Sequence, residues 1–181
     1  MNAMNFDPAA SLAADILSYG TSPCTLGEVL AARSTEGVCA VLIGDTVEEL
    51  EADLAALFPG SAILRNELSV QEDLAKLVRF MEKPAAGLHL TIDMRGTPFQ
   101  RRVWQKLRTI PVGRTVTYSE LAKRIGPPAS PRAIGSACAA NPVAIAIPCH
   151  RVVRSDGGFA GYRWGIERKR ALIRKEATAW R

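Results

Sequence analysis

The sequence predicts an α+β protein: a small α/β unit over residues 1–92, followed by a mostly helical unit over residues 93–181 built around a helix-turn-helix. Three observations carry this reading. Strand-like and helix-like segments alternate as far as Asp93. Beyond it, helix starts with proline at the first helical position recur. The charge divides near the same place: Met1 to Met94 holds five basic and fourteen acidic residues, net −9, and Arg95 to Arg181 holds eighteen basic and four acidic, net +14.

In the first half, Cys24 to Arg33 and Val38 to Ile43 read as two strands joined by the loop Ser34-Thr35-Glu36-Gly37. Thr46-Val47-Glu48-Glu49 fits a capping box, and Val47, Leu50, Leu54 and Leu57 follow at helical spacing until Phe58-Pro59-Gly60. Ala62 to Arg65 reads as a short strand. Ser69-Val70-Gln71-Glu72 is a second capping box, opening a helix with Val70, Leu74, Leu77, Val78 and Met81 on one face and Pro84 as its stop. Leu88 to Asp93 alternates like a returning strand.

In the second half, Thr97-Pro98 starts a helix to about Leu107, with Phe99, Val103, Trp104 and Leu107 inward and Arg101, Arg102 and Lys106 outward. Val116-Thr117-Tyr118 is strand-like, and Ser119 can cap a helix from Glu120 to about Ile125. Gly126-Pro127-Pro128 breaks it, and Ser130-Pro131 starts another from Arg132 to about Ala140. Two short helices across a tight turn make a helix-turn-helix. The second is almost bare, carrying Ala133, Gly135, Ser136, Ala137, Ala139 and Ala140. Such a helix approaches its partner closely, and that partner is either another helix or a DNA groove. The final helix, from Ile166 to about Ala177, carries Arg168, Lys169, Arg170, Arg174 and Lys175, read mainly as a solvated face.

The composition, 48% apolar and 23% charged, suits a globular chain. No apolar run is long enough to span a membrane, so no membrane partner is expected. Met1-Asn2-Ala3-Met4 lacks the basic start of a signal peptide. Four cysteines without a C-x-x-C pair then point to a reduced, cytoplasmic setting. The basic half suggests a polyanion, with nucleic acid as the favoured partner. Cys24, Cys39 and His89 match no structural zinc spacing, so no metal is expected. No phosphate-cradling glycine loop is present, so no nucleotide cofactor is expected either.

The stretch with chemistry is Ile147-Pro148-Cys149-His150-Arg151-Val152-Val153, between the turn signals Asn141-Pro142 and Asp156-Gly157-Gly158. It sets a thiol beside an imidazole. Neighbours on an extended chain point to opposite sides, so His150 reaches Cys149 only through a water or a bend. A nucleophilic cysteine needs such a base, because the thiolate is the reactive form. Further on, Phe159-Ala160-Gly161-Tyr162-Arg163-Trp164-Gly165 is a loop rich in glycine and aromatic residues.

Pro148 to Val153, with Asn141-Pro142 upstream, resembles the active-site signature of the O6-alkylguanine-DNA alkyltransferases. Arg132-Ala133-Ile134-Gly135 to Asn141-Pro142 is similar to the same family, which includes the C-terminal domain of Ada-type adaptive-response proteins. The resemblance runs from about Asp93 to Glu176 and is vague before that. It implies a ribonuclease-H-like first unit and a winged-helix-like second one. It also implies direct-reversal repair: one irreversible transfer of an alkyl group from guanine O6, or thymine O4, to Cys149. The expected partner is double-stranded DNA containing O6-alkylguanine, bound by a monomer without a cofactor.

By the same resemblance, Glu176 orients His150, and His150 draws the thiol proton through a water. Tyr118 supplies a proton to the departing guanine, and Asn141 braces the cysteine turn. The bare helix enters the minor groove through Ala133, Ser136 and Ala139, with Arg132 filling the gap left by an extruded base and Arg151 also on the DNA. Val152, Tyr162, Arg163 and Trp164 line the guanine pocket, with backbone groups around Cys149 and Val152 reading the guanine edge and Trp164 narrowing the mouth. Two rivals remain: a non-catalytic lesion-binding relative, which would carry tryptophan in place of Cys149, and a helix-turn-helix regulator. The bare helix lacks side chains for reading base edges, which weighs against the regulator.

Overall fold

The structure, a computed structural model, describes residues 15–159 and 161–179. Met1 to Met4, on which the leader expectation rests, lie outside the described residues, as does Ala160 of the aromatic loop. The fold is α+β. β1 (Ile16–Cys24) runs antiparallel to β2 (Gly27–Arg33), and β2 antiparallel to β3 (Val38–Gly44). β4 (Ala62–Arg65) adds parallel to the other side of β1, giving the order β3-β2-β1-β4. The strand expected over Cys24 to Arg33 is therefore split. Cys24 closes β1, and the chain reverses at Thr25-Leu26. Gly27 permits this with φ +113°, and a Cβ there would lie 2.3 Å from the Gly44 carbonyl oxygen. β1 escaped the sequence reading because polar and small residues interrupt its apolar alternation.

α1 (Val47–Leu57) packs on β3 and β2, and α2 (Glu67–Glu82) packs on β1 and β2. Thr46 caps α1 by accepting from the Glu49 amide. α2 begins before its expected cap: Asn66 accepts from the Ser69 amide, so Ser69 lies within the helix. Leu88 to Asp93 does not form a full strand. It touches β3 at one parallel bridge, Ile92 with Val38.

β3 is buried along its whole length, as befits a continuous apolar strand covered on both faces. Its outer edge also matters for the site. The Val41 amide donates to the Pro142 carbonyl at 3.0 Å, and the Ala144 amide donates to Val41 at 2.9 Å. The segment leading to Cys149 is thus laid along the edge of the sheet, where it satisfies backbone groups that would otherwise be open.

The second half packs α3 (Pro98–Leu107), α4 (Tyr118–Ile125) and α5 (Pro131–Ala139) together. β5 (Val116–Thr117) pairs parallel with β6 (Val152–Val153), and α6 (Ile166–Thr178) closes the described chain. Trp104 is buried as expected, and its indole N–H donates to the Ala137 carbonyl at 2.8 Å, tying α3 to α5. The cap of α4 is Thr117 rather than Ser119. Thr117 and Glu120 form a reciprocal box, which makes Tyr118 the first residue of the helix instead of the end of a strand. Among the described residues, no helix is long and apolar enough to cross a membrane.

Candidate active site

Cys149 opens a 3-10 turn, Cys149–Arg151, held between Pro148 and β6. This turn supplies the bend that an extended Cys-His dipeptide lacks. Asn141 fixes it from behind. Fully buried, its amide donates to the Ile147 carbonyl at 2.9 Å and to the Cys149 sulfur at 3.3 Å, while its oxygen accepts from the Val143 amide. Between these anchors Ile145 takes φ +67°, a conformation that a β-branched residue rarely adopts.

The sulfur faces a cavity of about 610 Å³ lined by Tyr118, Gly135, Cys138, Cys149, Tyr162 and Arg163, among others. Behind the thiol, His150 is fully buried and its Nε2–H donates to Glu176 Oε1 at 2.7 Å. An ionised carboxylate only accepts, so this bond fixes the proton on Nε2 and leaves the lone pair of the neutral ring on Nδ1. Among the described residues, Nδ1 has no protein hydrogen-bond partner. Glu176 also accepts from Arg151 Nε at 2.8 Å, Arg151 Nη2 at 2.9 Å and the Gly113 amide at 3.3 Å.

Three sequence expectations need correction. Arg151 does not face outward to DNA: it is 6% exposed and donates to Glu176 and the Ile110 carbonyl. Trp164 does not narrow the cavity mouth. It is buried behind Tyr162, whose ring centre is 5.1 Å away. Val152 is fully buried and absent from the cavity wall, and its carbonyl, expected at the guanine edge, accepts from Lys169. Tyr162 and Arg163 do line the cavity. On α5, Arg132, Ser136 and Ala139 are exposed and Ala133 is half-buried, so these four share a face without long side chains beyond Arg132.

Comparison with known proteins gives this arrangement a lineage. The family model described as 6-O-methylguanine DNA methyltransferase, DNA binding domain, matches residues 98–178. The inducible methylated-DNA–protein-cysteine methyltransferase of Bacillus subtilis is 37% identical over 133 residues, covering 74% of each chain. The chain belongs to the methylated-DNA–protein-cysteine methyltransferase family. The Escherichia coli bifunctional transcriptional activator/DNA repair enzyme Ada is 47% identical over 159 residues. That match takes in 88% of this chain and only 45% of Ada, so the chain spans about half the length of that relative. The crystal structure of Mycobacterium tuberculosis O6-methylguanine methyltransferase superposes with a TM-score of 0.72 at 32% identity, covering 90% of this chain and 94% of that one. A second structure of the Mycobacterium tuberculosis protein, in complex with DNA, gives 0.71 at 31%, covering 91% and 94%.

In this member of the methyltransferase family, burial dominates the ionisation of the site. It pushes the Cys149 thiol up to about 11, against the opposing pull of the Asn141 amide and Lys169. Burial also lowers His150, against the pull of Glu176, so the ring is neutral and can accept a proton. Burial alone would raise Glu176, but His150 and Arg151 bring it to about 2. The paired guanidinium of Arg151 helps to keep the carboxylate ionised. Tyr118 is pushed up to about 12 by burial and the neighbouring thiols, which keeps its phenol protonated.

Lys169 is the residue that sequence reasoning missed. The sequence groups it with the solvated cations of α6, yet it is fully buried. Its ammonium donates to the Val152 carbonyl at 2.7 Å and lies 6.0 Å from the centre of the Tyr118 ring. Helical spacing held the signal, since Lys169, Leu172 and Glu176 are three and four apart and share the buried face.

Proposed function

We propose that this protein reverses alkylation of DNA by a single irreversible transfer from guanine O6 to Cys149. The observation that carries the reading is a buried thiol opening on a cavity bordered by Gly135, Cys138 and Ala139 of α5, backed by an imidazole whose orientation a buried carboxylate fixes. In the reaction, Nδ1 of His150 takes the thiol proton through an intervening water. The sulfur attacks the saturated alkyl carbon, the carbon–O6 bond breaks, and its electron pair leaves with the guanine. Tyr118, protonated and on the cavity wall, supplies the proton that neutralises the departing base. The Lys169 ammonium offsets part of the cost of forming a thiolate in a buried site. The thioether product has no route back to the thiol, so each molecule acts once.

Access to an atom stacked inside a duplex requires flipping the nucleotide out, at a cost of a few kcal/mol. The bare face of α5, through Ala133, Ser136 and Ala139, suits close approach to the minor groove, with Arg132 in the vacated stack. The complex of the Mycobacterium tuberculosis relative with DNA supports DNA as the partner. The finer reading of the fold is a ribonuclease-H-like unit over residues 1–92 and a winged-helix-like unit over residues 93–181, acting as a cytoplasmic monomer.

Transfer of labelled alkyl groups from an O6-methylguanine duplex tests the reading. Cys149→Ala should accept none while binding the duplex as the wild type does. Label on Cys149→Ala would overturn the assignment.

A further inference from the structure

We propose that Arg168 is a positioning residue that, through Trp164, braces the Tyr162 wall of the cavity against the β-sheet, so that the first half of the chain sets the geometry at Cys149. The proposal rests on the alkyl-transfer reading and deepens it.

Arg168 sits in the first turn of α6, where a cation opposes the positive end of the helix dipole. Its side chain is nonetheless only 19% exposed and reaches three acceptors from three places. Nη1 donates to the Trp164 carbonyl at 3.0 Å, Nε to the Leu26 carbonyl at 2.9 Å, and Nη2 to the Asp45 carboxylate. Leu26 is in the β1–β2 turn, and Asp45 follows the end of β3. These two stations are themselves pressed together, since a Cβ on Gly27 would meet the Gly44 carbonyl oxygen at 2.3 Å and Arg168 Nη2 at 3.4 Å.

What it anchors is the aromatic loop. Trp164 is buried, its ring packs on the Tyr162 ring, and Tyr162 lines the cavity with its ring centre 6.5 Å from that of His150. The near end of the loop is held from the same helix, by Arg170 over the Phe159 ring at 5.4 Å. Asp45 is 82% exposed, so its ion pair adds little. The two carbonyl bonds carry the geometry, and they need a planar fork that lysine lacks.

The test uses Arg168→Met, Arg168→Lys and Asp45→Asn in the full chain, with Trp180→Phe in every sample so that Trp104 and Trp164 are the remaining tryptophans. Each is assayed well below its own melting temperature, so unfolded protein does not contribute. Single-turnover transfer from an O6-methylguanine duplex is measured at saturating DNA, beside the Kd for lesion-free duplex and acrylamide quenching of tryptophan fluorescence. Both Arg168 variants should slow transfer at saturation by about tenfold or more, as expected for a displaced pocket wall. They should also raise quenching while leaving the Kd within about twofold. Asp45→Asn should stay within about twofold of wild type on every readout. Unchanged transfer in Arg168→Met, or slower transfer with unchanged quenching, would overturn the proposal. If the wild type itself transfers nothing, the functional reading fails instead, and quenching still reports on the brace.

Discussion

Glu176 accepts the Nε2 proton of His150 at 2.7 Å, and both groups are shut off from solvent. The same carboxylate neutralises Arg151, so one residue orients the base and pairs a buried cation. Its ionisation is tied to folding. Held at about 2 against an ordinary 4.5, Glu176 stabilises the fold above the ordinary value, and that contribution is lost as pH falls towards 2. Glu176→Gln should flatten the stability profile over this acid range and, by stranding Arg151, cost about 3–5 kcal/mol at neutral pH. Urea unfolding as a function of pH checks both.

The pH dependence of transfer should report His150 and Cys149 separately. With burial lowering His150, the rate should fall on the acid side only below the ordinary imidazole value of 6.5. In His150→Ala the acid inflection should vanish, and log rate should climb with unit slope towards the thiol value of about 11. Single-turnover rates across the pH range decide this, and an unchanged acid limb in His150→Ala would remove the histidine from the proton path.

Lys169→Met should strip a buried cation that lowers the thiol and leave the Val152 carbonyl without its Lys169 partner. Stability should drop by about 1–3 kcal/mol, as for a buried acceptor left unpaired. The thiol should also titrate higher than in the wild type. The rate of Cys149 alkylation by iodoacetamide against pH gives that titration directly.

Gly135 separates fold from access. A Cβ there would have Tyr118 Cε1 as its nearest neighbour at 4.0 Å, which is ordinary contact. Gly135→Ala should therefore fold and gain up to about 1 kcal/mol of helix propensity. Gly135→Leu should fold as well but fill the cavity in front of Tyr118 and stop transfer. Thermal melts paired with transfer assays distinguish the two.

Arg132→Ala addresses entry of the base. Its side chain is exposed at the start of the bare helix. If it fills the stack left by the flipped nucleotide, its loss should slow reaction with duplex far more than reaction with free O6-methylguanine. Equal slowing of both would contradict that role.

Local chemistry made much of this legible. Thr97-Pro98 and Ser130-Pro131 announce their helices because caps and N1 proline act within one turn. The boundaries that slipped did so where two capping candidates compete, as at Asn66 against Ser69 and Thr117 against Ser119. At the site, the thiol and imidazole stand out in the sequence itself, and the carboxylate and asparagine are located only through the family resemblance. The fates of Arg151, Trp164 and Lys169 could not be read there, because burial of a long side chain depends on which elements close over it. Lys169 and Arg170 are neighbours in sequence, one fully buried and one on the surface. Only the rotation of α6 separates them.

The most direct measurement is intact mass of the protein after mixing with a short duplex carrying one O6-methylguanine. The account predicts a gain of one methyl group, mapped to Cys149 and saturating at one per protein molecule. An unchanged mass with the lesion still bound, or a methyl group mapped to another residue, would contradict it.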